Sequence, residues 1–201
     1  MKNMEPPFRI EKKDSFRVVG PAMRTTNQKG QGRKMIPAHW ADFKAKGLEK
    51  DLLLRANQEP YGLFGINIYN TDEADPRIFD YLIAVSSDTE AGDALSSYEV
   101  PARTWAIFPC TLETIGKTEA QAITKWLPKF KYRPLNKGYI TGRMKSNAPD
   151  LEYYGENGLV EVWIAVEKKK RVRQAGLFHG NAASTSAAYL CDDFSRGLLC
   201  V

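Results

Sequence analysis

The sequence predicts an α+β fold: duplicated β-α-β-β units forming one mostly antiparallel curved sheet, with helices on one face and a ligand groove between the halves. Three observations predict it. The order strand, helix, strand, strand occurs twice along the 201 residues. The segments that close the two halves, IFDYLIAV (78–85) and LVEVWIAV (159–166), overlay residue on residue and both end in Ile-Ala-Val. One helix per unit covers only part of a sheet, so the remaining surface is open or folded into a groove between similar halves.

Taken in order, FRVVGPAMR (16–24) reads as a strand and TTNQKGQGRKM as a polar, glycine-containing connection. IPAHWADFKAKGLEKDLLLRA (36–56) reads as helical. Its Pro37 suits a first turn. Trp40, Phe43 and Leu48 are spaced for one apolar face, and Gly47 is placed to bend or divide the helix. YGLFGINIY (61–69) is strand-like, although its glycines weaken that reading, and 78–85 is a strong strand. The second unit repeats the pattern. RTWAIFPC (103–110) is a strand, 114–130 a helix in which Pro128 ends the helix or allows only a last distorted turn, LEYY (151–154) a short strand, and 159–166 the closing strand. The body is expected to span 1–167, with units at about 8–90 and 97–167. Residues 168–201 form a basic, then short-residue-rich tail, expected to be flexible.

A 43% hydrophobic content fits a globular chain with its own core. Three cysteines, Cys110, Cys191 and Cys200, give no disulfide framework and point to a reducing compartment. With no signal-like or membrane-length apolar run, the expected location is the cytoplasm, without membrane attachment. The net charge of +5 sits mainly in a KKKRVR run after the last strand; the body is nearly balanced. That run either contacts phosphates or marks a solvated boundary, and the body lacks the basic face of a sequence-specific DNA reader.

Strand side chains alternate with period two. In the closing strand, Val160, Val162, Ile164 and Val166 form the face toward the helices, leaving Glu161, Trp163 and Ala165 on the other. In the first unit Phe79, Tyr81, Ile83 and Val85 pack inward while Asp80, Leu82 and Ala84 oppose them. Glu161 overlays Asp80 and Trp163 overlays Leu82, so a pseudo-two-fold would bring both acids to one groove. A carboxylate beside an indole in a partly dry groove suits a flat, amphipathic cation through charge, cation–π contact and burial of carbon. The alternative is an ordinary salt bridge at Glu161 with Trp163 covering the sheet. Tyr61, Tyr69, Trp105, Tyr139, Tyr153 and Tyr154 are candidate wall residues, whereas Trp40 and Trp126 read as helix core.

The chain resembles the GyrI-like small-molecule-binding domain, the effector-binding domain of AraC-type and MerR-type bacterial regulators, which also occurs alone on integron gene cassettes. The resemblance covers roughly 8–167 through FRVVGPAMRTTN, IPAHWADF, YGLFGINIY, FDYLIAV, YEVPARTWAIFPC, KWLP, PDLEYY and VEVWIAV. It implies a duplicated β-α-β-β arrangement with an acid in the groove, matched here by Glu161 with Trp163 two residues on. It also implies binding of lipophilic, often cationic compounds, and some relatives act as hydrolases. Ala165 stands where the family usually has proline. No helix-turn-helix precedes or follows the body, so any regulatory output would pass through a separate protein partner.

Other chemistry finds little support. His39 and His179 have no metal-ligand spacing with the cysteines, so no metal or other cofactor is expected. Cys110 has no histidine placed beside it and reads as a buried or neutral thiol. GQGRK (30–34) lacks the spacing of a phosphate loop. The leading function is stand-alone binding of a small lipophilic, cationic molecule, as sensor or sequestering protein. The alternatives are a hydrolase with Glu161 as general base, Asp80 opposite it, and an adaptor recognised by a protein partner.

Overall fold

The computed structural model of the chain describes residues 7–136 and 144–169. Tyr139 and the tail beyond 169 lie outside the described residues. The strands are β1 (Arg9–Lys13), β2 (Phe16–Gly20), β3 (Ala22–Thr26), β4 (Leu63–Ile68), β5 (Ile78–Ser86), β6 (Ser96–Val100), β7 (Arg103–Cys110), β8 (Tyr132–Pro134), β9 (Asp150–Tyr154) and β10 (Val160–Lys168). The helices are α1 (Gln31–Ala45), α2 (Leu48–Leu53) and α3 (Ile115–Gln121).

One antiparallel sheet runs β1-β7-β10-β9-β4-β5-β2-β6, with β3 beside β5 and β8 beside β10. Read outward from its centre, β9 matches β4, β10 matches β5, β7 matches β2, and β1 matches β6. The order is therefore two-fold, as the repeat requires. The strand leading into each half adds to the sheet of the other half: β1 pairs with β7 and β6 with β2. Phe16, Val18 and Val100 from one end of the strand order share a core with Trp105 and Ile107 from the other. The sheet must curl to bring them together, yet β1 and β6 do not pair, so it stays open.

Both alternation readings hold. Val160, Val162, Ile164 and Val166 pack beneath α3, and Phe79, Tyr81, Ile83 and Val85 beneath α1 and α2. Leu82, Ala84, Trp163 and Ala165 fill the interior of the curl.

Three local readings are corrected, and the division of the first helix at Gly47 is as expected. The strand expected over 16–24 divides at Pro21, which has no N–H to continue a ladder. The first helix begins at Gln31, inside the expected connection, so Pro37 lies within it and not in its first turn. Gly30, at positive φ, supplies the sharp entry to that helix. Gly47, also at positive φ, divides it from α2. In the second half, regular α-helix stops at Gln121; a wider turn over Ala122–Trp126 and a tight turn over Leu127–Lys129 complete the expected segment. Trp126 leaves through that wide turn to stack on Phe108 at 5.5 Å.

Candidate functional site

β9 lies at the centre of the sheet, between β10 and β4, where the halves meet. Its short sequence, Asp-Leu-Glu-Tyr-Tyr, alternates as any strand does. Leu151 joins the interior core with Tyr153 packed against it. Asp150, Glu152 and Tyr154 oppose Ile164, Val162 and Val160, so they face the helices.

Opposite Glu152 on β4 is Gly65. With no side chain there, Tyr81 on β5 reaches over the strand and its hydroxyl donates to Glu152 Oε2 at 2.9 Å. Tyr154 donates to the same oxygen at 2.6 Å. The indole N–H of Trp40 on α1 donates to the Tyr81 hydroxyl at 2.8 Å, orienting it. Glu152 is buried, and its Oε1 has no hydrogen-bond partner among the described residues. Burial pushes its carboxyl above the usual range, while the Tyr154 and Tyr81 hydroxyls oppose the rise. Burial, reinforced by the Glu152 charge, also raises both tyrosines, so they remain donors.

Glu152 and Tyr154 floor a cleft of about 490 Å³ between α1 and α3. Ile36 and Trp40 form one wall, Ile115 and Gly116 the other. The Tyr154 ring meets Trp40 edge-on at 5.1 Å. Leu112 and Leu159, both exposed, lie at the mouth. Lys44 Nζ stands 5.8 Å from the Trp40 ring, showing that this indole already accepts a cation. The arrangement offers an apolar volume, aromatic faces and one buried acceptor.

The residues expected from sequence divide among several places. Tyr154 lines the cleft. Tyr69 lies beside it, its hydroxyl donating to Asp150 Oδ2 at 2.9 Å. Glu161 and Trp163 occupy the opposite face, inside the curl. Glu161 is clamped by Arg9, through Nη1 to Oε1 at 2.6 Å and Nη2 to Oε2 at 3.1 Å. The Trp163 indole N–H donates to Glu161 Oε2 at 2.9 Å. Both carboxylate oxygens of Glu161 are therefore engaged by protein donors. Trp163 is buried among Phe64, Trp105 and Tyr153. Asp80 is held by Arg24 at 3.2 Å. It lies on β5, three strands from the β10 of Glu161 in the sheet order, and each acid has its own arginine. Leu82 and Trp105 are core. Tyr61 is exposed, and its carbonyl accepts the Tyr153 hydroxyl at 2.5 Å.

Cys110 is half-buried, its thiol pushed up to about 11 by burial and by the Glu152 and Glu161 charges. It is a poor nucleophile. No three His, Cys, Asp or Glu side chains among the described residues are arranged to hold a metal ion. No helix among them is long and apolar enough to cross a membrane.

Comparison with known proteins gives a family and similar folds. A family model described as Cass2, integron-associated effector binding protein, matches residues 9–166. No curated protein matches the sequence. The structure of SAV2435 bound to tetraphenylphosphonium is similar at 19% identity and a TM-score of 0.63, over 82% of this chain and 94% of that one. A bacterial transcription regulation protein from Staphylococcus aureus MU50 gives 17% and 0.61, over 80% and 97%. The integron cassette protein VCH_CASS2 from Vibrio cholerae gives 17% and 0.51, over 81% and 97%.

Proposed function

The chain belongs to the Cass2 family of integron-associated effector binding proteins, and from that premise we propose that it binds lipophilic cations in the cleft between α1 and α3. One observation carries the reading: Glu152 lies buried at the floor of an apolar cleft with one oxygen unpartnered. A buried carboxylate without full compensation is costly, and a cation beside it recovers part of that cost. Trp40 and Tyr154 add ring faces, each worth about 0.5–2 kcal/mol with a desolvated cation. Every Å² of ligand carbon buried adds about 25 cal/mol.

Support also comes from the SAV2435 structure, whose ligand is a lipophilic cation. As an effector-binding unit the chain senses or sequesters its ligand, and any regulatory output passes to a separate partner. A cytoplasmic setting is part of this reading, because the sequence builds no disulfide framework.

Isothermal titration with tetraphenylphosphonium and with neutral triphenylphosphine oxide tests it. The cation should bind and the neutral compound bind at least about tenfold more weakly. Glu152→Gln should erase the difference, whereas Glu161→Gln should preserve it. Equal affinities for the two compounds in the native protein would overturn the electrostatic reading. Loss of the preference in Glu161→Gln alone would move the site to the other face.

A further inference from the structure

The carboxylate at the floor of the cleft is unevenly satisfied. An ionised carboxylate has about four acceptor positions, shared equally by its oxygens. On Glu152 the Tyr81 and Tyr154 hydroxyls fill those of Oε2. Oε1 is buried and has no hydrogen-bond partner among the described residues. The described side chains that line the cleft and carry a donor are Trp40, Lys44 and Tyr154. Each is committed elsewhere. The Trp40 N–H goes to the Tyr81 hydroxyl and the Tyr154 hydroxyl to Oε2, while Lys44 Nζ stands over the Trp40 ring. The acceptor positions of Oε1 are left for a donor that a ligand brings.

Positive charge alone does not fill them. A quaternary ammonium or aryl phosphonium surrounds its charge with carbon and has no N–H to give. A protonated amine of the same charge adds a hydrogen bond between ionised partners, roughly twice as strong as a neutral one. A guanidinium fork is matched to a carboxylate with both oxygens free. Glu152 has one oxygen already filled.

Resting on the reading of the cleft given above, we propose that its preferred ligands are protonated lipophilic amines, whose N–H donates to Glu152 Oε1 while their carbon lies against Trp40 and Tyr154. Quaternary and phosphonium cations share the cleft but leave its acceptor unused, and so bind more weakly. This selection opposes the hydrophobic trend. Replacing an N–H by N–CH3 adds apolar surface, which burial alone would reward.

Titration calorimetry at neutral pH compares protonated N,N-dimethyl-4-phenylbenzylamine, which keeps an N–H, with N,N,N-trimethyl-4-phenylbenzylammonium, which has none. Tetraphenylphosphonium is the reference cation. The amine should bind about tenfold more tightly than its quaternary partner, as expected for a hydrogen bond to a charged group. Glu152→Gln should abolish that preference and Glu161→Gln should retain it. In the native complex, nuclear Overhauser contacts should run from the ligand N-methyl protons to the Tyr154 ring, a readout that needs no variant. Equal affinities, or tighter binding of the quaternary compound, overturn this proposal. Tetraphenylphosphonium binding that still depends on Glu152 then leaves the cleft reading intact. Failure of all three cations to bind overturns both. A preference that survives in folded Glu152→Gln, or N-methyl contacts to Trp163 in place of Tyr154, overturns the assignment to Oε1.

Discussion

At the scale of single residues, the cleft depends on an absence. Gly65 faces the helices between Tyr81 and Glu152. A methyl group there would overlap the Tyr81 hydroxyl and come within 2.6 Å of Glu152 Oε2. Tyr81 is fully buried, so it has nowhere to retreat. Gly65→Ala should cost roughly 1–3 kcal/mol through overpacking and should also weaken cation binding by separating the carboxylate from its donor. Urea denaturation and titration on the same sample check both halves. A variant of native stability and native affinity would remove Gly65 from the argument. In the sequence this glycine counts only against a strand, because its value arises from side chains on two other strands. Glu161 shows the converse. Its acid and indole are conspicuous in sequence, but its partner Arg9 is 152 positions away, and no local pattern announces that pair.

At the scale of elements, strand faces were legible wherever a run of β-branched residues marked one side, as in β5 and β10. β9 lacks that marking. Its helix-facing side is Asp150, Glu152 and Tyr154, which apolar periodicity does not register as a core face. Yet the period-two rule applied to it gives the cleft floor directly. The chemistry of this face sets its pH response. Burial raises the Glu152 carboxyl, and hydrogen bonds from Tyr154 and Tyr81 pull it back. The folded protein therefore holds this proton to higher pH than the unfolded chain. Glu152 lowers the stability of the empty protein progressively as pH rises from the unfolded carboxylate range through the raised folded value. A bound cation reverses the sign, because only the ionised carboxylate attracts it. Affinity for tetraphenylphosphonium should rise with pH across that interval. Tyr154→Phe removes one donor and should move the midpoint upward while lowering affinity at neutral pH. Titrations from pH 5 to 9 measure the midpoint. An unchanged midpoint in Tyr154→Phe would show that its hydroxyl does not tune Glu152.

At the scale of the whole molecule, the repeat was visible in the overlaid closing strands, but the exchange of leading strands was not. β1 pairs with β7 and β6 with β2, contacts whose sequence separation leaves no local trace. That exchange determines how the protein unfolds. The interior core takes Phe16, Val18, Phe64, Ile66 and Leu82 from the first half and Trp105, Ile107, Leu151 and Trp163 from the second. Separating the halves exposes all of them. For the five large apolar side chains of the first half alone, the loss is about 10 kcal/mol at the usual value per buried side chain, comparable with the entire stability of a typical domain. The repeat units share one core and are therefore expected to unfold together. A chain truncated to 8–90 should remain unfolded, without dispersed amide resonances. The intact protein should unfold in one transition with equal calorimetric and van't Hoff enthalpies. Because the cleft is walled by α1 from one half and α3 from the other, a bound cation should raise that single transition as a unit. Two separable transitions, or a ligand that shifts only one of them, would show that the halves fold independently and that the cleft is a boundary between domains.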